Sequence, residues 1–346
     1  MDEYDWRCIV APLLAWYGAE ARDLPWRRDT EPYHVWLSEI MLQQTRVDTV
    51  IPYYERFLSA LPDIPSLAAA DEAALLKLWE GLGYYSRVRS LQKAARVICA
   101  EHGGRFPMDF DAIRALPGIG DYTAGAVSSI AFGKPTPAVD GNVARVASRL
   151  AELPADAADP AFRARLTDAL RAVYPAGKSG DFTQSLMDLG ATVCLPNGAP
   201  RCDDCPLALL CQANIHGSQG SYPLKKAKKD RPVEDRTVFL LECGERVALK
   251  KRPLGGLLGG LWGLPDTGGA LTAAAAADYL RTLGVSAGDL TSRPAARHIF
   301  THLEWRMTVY AASCAAPEGQ GLKWVTRDAL STDYALPTAY RKLLSL

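Results

Sequence analysis

Four cysteines crowd into "CLPNGAPRCDDCPLALLC", residues 194–211, with seven, two and five residues between successive members. Sulfurs this close in sequence converge on a common object, and that object fixes the path of the loop around it. Disulfides belong to oxidising compartments. The stretch "MDEYDWRCIV" is acidic and lacks a long apolar core, so no secretory signal is expected and a cytoplasmic location is. Zinc commonly takes two Cys-x-x-Cys knuckles set far apart. One compact loop with unequal gaps suits a four-iron cluster better. Iron–sulfur is the favoured reading of Cys194, Cys202, Cys205 and Cys211, with zinc left open. Cys8, Cys99, Cys243 and Cys314 lie in apolar contexts and read as small buried hydrophobes.

Upstream of this loop the chain reads as helices joined by short turns, from Trp6 to about Ala213. "PYHVWLSEIMLQQTRVDTVIPYYERFLSAL" predicts two helices hinged near Ile51-Pro52, and residues 66–103 predict two more broken at Gly81–Gly83. "FDAIRALPGIGDYTAGAVSSIAFG" predicts helix, tight turn, helix, and "DGNVARVASRLAEL" another helix with an acidic start. Residues 214–236 lose periodicity and gain Gly, Ser, Pro and Lys, as an interdomain linker does. From 237 the texture becomes β-rich, with a hairpin at Cys243-Gly244, an alanine-rich helix and a strand pair in "RHIFTHLEWRMTVYAASC". The expected architecture is an all-α domain over 1–213 and an α+β domain over 237–346, which suits a chain of 346 residues.

Hydrophobic residues make up 48% of the chain and charged residues 23%, ordinary for a globular protein. Charge or glycine interrupts every apolar stretch well short of ~18 residues, so no membrane partner is expected. Net charge is zero, yet Arg87, Arg89, Lys93 and Arg96 form a local basic run. Such a stripe can meet phosphates because screening confines each field to roughly 10 Å.

Glu39 sits mid-helix beside Val35, Trp36 and Leu42. On such a face a carboxylate is desolvated, which raises its pKa toward that of a general acid at neutral pH. An exposed or internally satisfied glutamate is the bland alternative. Asp140 in "TPAVDGNVARV" is an N-cap candidate with Asn142 beside it, and a capping aspartate stays available to stabilise a positive charge. Gly118 and Gly120 in "LPGIG" permit a tight turn that leaves N–H groups exposed at a helix start, where a phosphate fits.

In this order, "LPWRRDTEPYHVWLSEIMLQQTRVDTVIPYYERF", "GLGYYSRVRSL", "LPGIGDYTAGAV", "AVDGNVARV", "FTQSLMDLGATVC" and the cysteine loop make the chain resemble the MutY-type adenine DNA glycosylases of the helix-hairpin-helix superfamily. The resemblance covers nearly all of 5–213 and continues more weakly at "GGLLGGLWGLP" and "RHIFTHLEW". It implies a helix-hairpin-helix glycosylase domain with a 4Fe-4S loop, followed by a Nudix-like domain. It implies removal of adenine opposite 8-oxoguanine or guanine in double-stranded DNA, on a base flipped out of the stack.

By that resemblance Glu39 and Asp140 are catalytic, supported by Tyr122 and Asn142, and Arg27 and Gln184 hold adenine. Gln44 and Tyr84 wedge into the duplex, Gly118 and Gly120 bind its backbone, and Thr301 and His302 read 8-oxoguanine. Members usually carry serine where "FTH" has Thr301, and six residues in the first cysteine gap rather than seven. In the related endonuclease III type a lysine stands where Tyr122 does and forms a Schiff base. Tyrosine cannot, so a monofunctional enzyme is expected, acting as a monomer.

The Nudix-like domain has only Asp278 in "GGALTAAAAADYLRTLGV" and no glutamate, so metal-dependent hydrolysis is not expected of it. Tyr122 and the extra domain count against a bifunctional pyrimidine glycosylase/lyase. Glu39 with Asp140 counts against a damage sensor without activity. The 214–236 segment is a candidate contact for another repair or replication protein.

Overall fold

The computed structural model describes residues 4–224 and 230–345; the lysine-rich stretch 225–229 of the expected linker lies outside the described residues. The chain forms two compact units. One comprises Met1–Ala69 and Arg89–Ala227, the other Ala70–Val88 and Lys228–Leu346.

The first unit is helical. Its elements are α1 (Val10–Glu20), α2 (Pro32–Leu42), α3 (Val47–Ala60) and α4 (Ile64–Ala69); α5 (Glu72–Leu78) lies in the other unit. They continue as α6 (Ser86–Glu101), α7 (Phe110–Ala115), α8 (Asp121–Ile130), α9 (Gly141–Leu150), α10 (Pro160–Arg171), α11 (Ser179–Asp188) and α12 (Gln212–Ile215). The residues of α2 from Val35 to Met41 are all buried and, apart from Ser38 and Glu39, apolar, which marks a helix at the centre of its unit. α2 packs on α8, α8 on α7 and α11, and α11 on α1. Trp6, Ile9 and Leu13 share one core with residues of α9–α11 and with Leu207 of the cysteine loop, so the start of the chain is packed on the loop's side of the unit.

Two helix breaks differ from the sequence expectation. The hinge lies at Gln43–Arg46, not at Ile51–Pro52: Gln44 takes a left-handed backbone (φ +58°), and α3 then runs through Pro52. Residues 66–103 form three helical segments, because the Asp71 carboxylate caps α5 by accepting from the N–H groups of Ala73 and Ala74. The expected break at Gly81–Gly83 and the helix–turn–helix at 110–130 are present.

The second unit is built on a seven-stranded sheet: β1 (Val233–Cys243), β2 (Arg246–Lys251), β3 (Trp262–Gly263), β4 (Asp266–Gly268), β5 (Thr291–Ile299), β6 (Glu304–Ser313) and β7 (Leu322–Thr326). β1 runs parallel to β6, from Val233 opposite Glu304 to Glu242 opposite Ser313. β1 starts four residues before Thr237, while residues up to Leu224 still pair with the helical unit through Leu224 N–H and the Ala155 carbonyl.

Strand alternation sends Val238, Leu240 and Trp305 to one face and Phe239, Leu241 and Tyr310 to the other. α13 (Ala273–Thr282) covers the second face through Ala276 and Leu280; α14 (Arg327–Thr332) and α15 (Thr338–Arg341) contribute to the first. Burial on both faces explains why β1 reads as a continuous apolar run. The β5–β6 register shifts between Arg293 and Ala296, at Pro294, which has no N–H to give the ladder.

The segment 70–88 belongs to this unit through polar anchors. The Lys77 ammonium donates to the carbonyls of Leu330 (3.4 Å) and Tyr334 (3.0 Å), and the Leu336 N–H donates to the Glu80 carboxylate (2.8 Å).

Candidate active site

A cavity of about 800 Å³ opens in the helical unit, lined by residues from six of its α-helices. Glu39 enters it from α2, Tyr122 from the first turn of α8, Asp140 and Asn142 from the start of α9, and Gln184 from α11. Arg27 and Gln44 line it from flanking segments. Seven of the residues singled out in the sequence therefore meet at one place.

Glu39 is 6% exposed, and the Tyr122 hydroxyl donates to its Oε2 at 2.6 Å. Burial pushes the Glu39 carboxyl up to about 7; the Tyr122 bond draws it down, the Asp140 charge adds to the rise and the Arg27 charge opposes it. Burial also lifts the Tyr122 phenol well above its ordinary value, helped by the charges of Glu39 and Asp140, so it stays a donor. The burial of α2 is the cause: from Val35 to Met41 every residue is shielded from water, and five of the seven are apolar.

Asp140 caps α9, with Oδ1 accepting from the Val143 N–H at 2.7 Å and Oδ2 from the Asn142 amide at 3.0 Å. Burial raises the Asp140 carboxyl, and those bonds together with the Arg145 charge hold it back. Asn142 is oriented in turn by Arg145, whose Nη2 donates to Asn142 Oδ1 (2.9 Å) and to the Gly190 carbonyl (2.7 Å). Gly190 has to be glycine: a Cβ there would stand 2.7 Å from the Cβ of Asn142. Arg145 Nε also donates to the Cys194 carbonyl at 3.0 Å, so one guanidinium ties the carboxylate side of the cavity to the cysteine loop.

Cys194, Cys202, Cys205 and Cys211 line one small, almost wholly apolar cavity. Arg149 Nη1 donates to Cys194 Sγ at 3.3 Å, and the Gln219 amide approaches Cys202 Sγ at 3.7 Å. Burial pushes the Cys205 thiol up to about 12, and the charges of Cys194, Cys211 and Cys202 add to the rise. Four thiolates gathered here therefore call for a multivalent cation. Among the described residues, no three His, Cys, Asp or Glu are arranged around a single metal ion.

The turn between α7 and α8 uses its glycines differently. Gly118 has φ +79°, and a Cβ on it would meet Ser90 Cβ at 2.5 Å. Gly120 is extended, the N-cap of α8 with open space around it, and neither glycine lines the 800 Å³ cavity. Tyr84, Thr301 and His302 belong to the other unit. Tyr84 is 43% exposed with φ +48°, and its hydroxyl is hydrogen-bonded to that of Thr301; His302 is exposed beside it. Gln44 and Tyr84, the two expected wedges, are both exposed non-glycine residues in left-handed backbone, a costly conformation concentrated at functional sites.

The sequence reading missed Arg22, Asp188, Arg145 and Arg149. Apart from the Arg145–Asn142 bond, the partners described for them lie far away along the chain, and no local pattern points to them.

Comparison with known proteins identifies the family. A family model for the HhH-GPD superfamily of base excision DNA repair proteins matches residues 37–171, and a NUDIX domain model matches 237–346. The adenine DNA glycosylase of Homo sapiens is 35% identical over 96% of this chain and 72% of its own length. That of Rattus norvegicus is 34% identical over 96% and 76%. A solved thermostable thymine-DNA glycosylase superposes with a TM-score of 0.55 at 30% identity, covering 61% of this chain and 97% of its own. A non-covalent endonuclease III–DNA complex shares the fold at a TM-score of 0.52 and 23% identity, over 61% and 95%. With a helical glycosylase fold, a buried carboxyl in its cavity and relatives matched across both units, the chain belongs to the adenine DNA glycosylases, which excise adenine from DNA in base excision repair.

Proposed function

We propose that this enzyme removes adenine paired with 8-oxoguanine, and also with guanine, without cutting the strand. The observation that carries the reading is the Glu39–Tyr122 pair facing the same cavity as Asp140. Adenine enters flipped out of the duplex, because its glycosidic bond is out of reach inside the stack. Arg27 and Gln184 hold it at the cavity wall. Glu39, with its carboxyl raised to about 7, gives a proton to a ring nitrogen and makes the base a better leaving group. The bond to the sugar breaks, and positive charge develops on the deoxyribose. Asp140, ionised and fixed by Asn142 and the Val143 N–H, stabilises or briefly traps that charge as a carboxylate does in retaining glycosidases. Water then completes hydrolysis to an abasic site.

The absence of strand cleavage rests on Tyr122, whose phenol forms no imine. Among the described residues lining the cavity there is no lysine to substitute for it. Preference for 8-oxoguanine rests on the loop Phe300–Leu303, where Thr301 and His302 are exposed. Gly118 and the open N-terminus of α8 suit a backbone phosphate. The enzyme works as a monomer on double-stranded DNA in the cytoplasm, and residues 214–236 are where another repair or replication protein would attach.

Cys194, Cys202, Cys205 and Cys211 would hold a 4Fe-4S cluster. One compact loop whose four sulfurs line a shared apolar cavity suits a cluster better than a single zinc. Such a cluster would supply a rigid, charged node for the loop, and Arg149, which donates to Cys194 Sγ, would stand beside it.

The test is a set of duplexes with adenine opposite 8-oxoguanine, guanine or thymine, followed under single turnover. Strand breaks are to be seen only after hot alkali, with rates in the order 8-oxoguanine, guanine, thymine. Breaks without alkali, or borohydride trapping of enzyme on DNA in high yield, would refute the monofunctional reading.

A further inference from the structure

Behind the base-holding wall of the cavity lies a carboxylate that none of the steps above uses. Asp188 ends α11, one turn after Gln184, and its side chain is 1% exposed. Two arginines converge on it. Arg22 donates from Nε at 2.8 Å and Nη2 at 2.5 Å, both to Oδ1. Arg27 donates from Nη1 to Oδ2 at 2.7 Å and from Nη2 to Oδ1 at 2.8 Å. A carboxylate accepts about four hydrogen bonds, so Asp188 is saturated.

The charges do not balance locally. Two guanidiniums share one carboxylate, leaving one positive charge beside the cavity that both arginines line. Arg27 is 11% exposed, stacked 5.7 Å over the Tyr17 ring, and the next acid in its field is Glu39. A buried guanidinium that loses its partner takes another, because an unpaired buried charge is strongly unfavourable. If Arg27 paired with Glu39, that carboxyl would be held ionised and could give no proton.

We infer that Asp188 is a positioning residue that pins Arg27 against the back wall of the base cavity and so withholds it from Glu39. Its bidentate grip keeps the guanidinium presented to adenine while the acid one helix away stays protonatable. The electrostatics run the same way. Burial alone would raise Asp188 and lower Arg27; their mutual bonds outweigh it, so Asp188 sits below the ordinary carboxylate range and Arg27 above its own ordinary value. The groups facing Glu39 are Tyr122, Asp140 and Arg27; those facing the fork are Arg22, Tyr17 and, through Tyr17, Asp181. Among the groups facing Glu39, only Arg27 is a cation, and Asp188 holds it.

The inference rests on Glu39 as the acid, and the pH profile of single-turnover excision from an adenine:8-oxoguanine duplex tests it. Asp188→Asn keeps the shape and loses the charge. Its alkaline inflection should move down by about one unit or more. That is about tenfold less activity above pH 7, recovering as pH falls. Arg27→Met and the double variant Arg27→Met/Asp188→Asn complete a cycle. With Arg27 gone, removing Asp188 should leave the inflection where Arg27→Met puts it, and this comparison decides the matter even if Asp188→Asn alone does not fold. An inflection unmoved in Asp188→Asn, a loss equal at every pH, or a shift by Asp188→Asn that persists without Arg27 would overturn the inference. Excision by Glu39→Gln would instead overturn the general-acid reading beneath it.

Discussion

The Tyr122 hydroxyl donates to Glu39 Oε2 at 2.6 Å, joining the first turn of α8 to the centre of α2 across the cavity. The bond favours the ionised carboxyl and opposes the larger effect of burial, leaving Glu39 close to 7. Tyr122 thus trims an acid that would otherwise hold its proton too tightly to release it. Tyr122→Phe should move the alkaline limit of excision to higher pH, while the rate at lower pH falls roughly tenfold through lost orientation and weaker acid strength. Single-turnover rates from pH 5.5 to 9 check both parts.

Protonation of Glu39 also links to stability. Its carboxyl rises from 4.5 to about 7 on folding, so the fold favours the protonated form. The contribution is fully present below about 4.5 and is lost as pH rises through 7, to a limit of about 3 kcal/mol for so large a shift. Glu39→Gln removes the titrating group. Denaturant melts of the helical unit should show the wild type losing stability from about pH 4.5 to about 7, with little further loss above that, and the variant losing much less.

Gly190 and Asn142 approach so closely that a methyl group between them would displace backbone as well as side chain. Asn142 orients Asp140, so Gly190→Ala should slow excision about 10–100-fold, the usual cost of a misplaced catalytic group. Affinity for a duplex carrying an uncleavable adenine analogue should change little, since the residues proposed to meet the DNA backbone, Gly118 and Gly120, lie elsewhere. Fluorescence anisotropy beside the rate assay separates the two effects.

Thr301 shares a hydrogen bond with Tyr84 in the second unit. Thr301→Ala should reduce the preference for 8-oxoguanine over guanine by roughly 2–10-fold, the worth of one hydroxyl contact. Thr301→Ser should retain it. Competition between the two duplexes in one tube gives the ratio directly.

Much of the site was legible because its signals are local. Apolar neighbours of Glu39 at helical spacing announced its burial, the Asp-Gly-Asn start of α9 announced the cap, and cysteine spacing announced a shared cavity. The unread parts depend on distance along the chain. Asp188 stands 166 and 161 residues from the two arginines it binds, and nothing near it in sequence marks it as buried and paired. The hinge after α2 contains neither glycine nor proline, so Gln44 in left-handed backbone gave no breaker signal, while Pro52 gave a false one inside α3. Assignment of Ala70–Val88 to the second unit is likewise set by tertiary hydrogen bonds of Lys77 and Glu80, which helical periodicity does not encode.

The central claim is that Glu39 supplies the proton that releases adenine. Single-turnover excision from an adenine:8-oxoguanine duplex by wild type and Glu39→Gln, with binding measured in parallel, tests it most directly. The account predicts product from the wild type, none detectable from the variant, and comparable duplex affinity for both. Excision by Glu39→Gln at a rate near that of the wild type would contradict it.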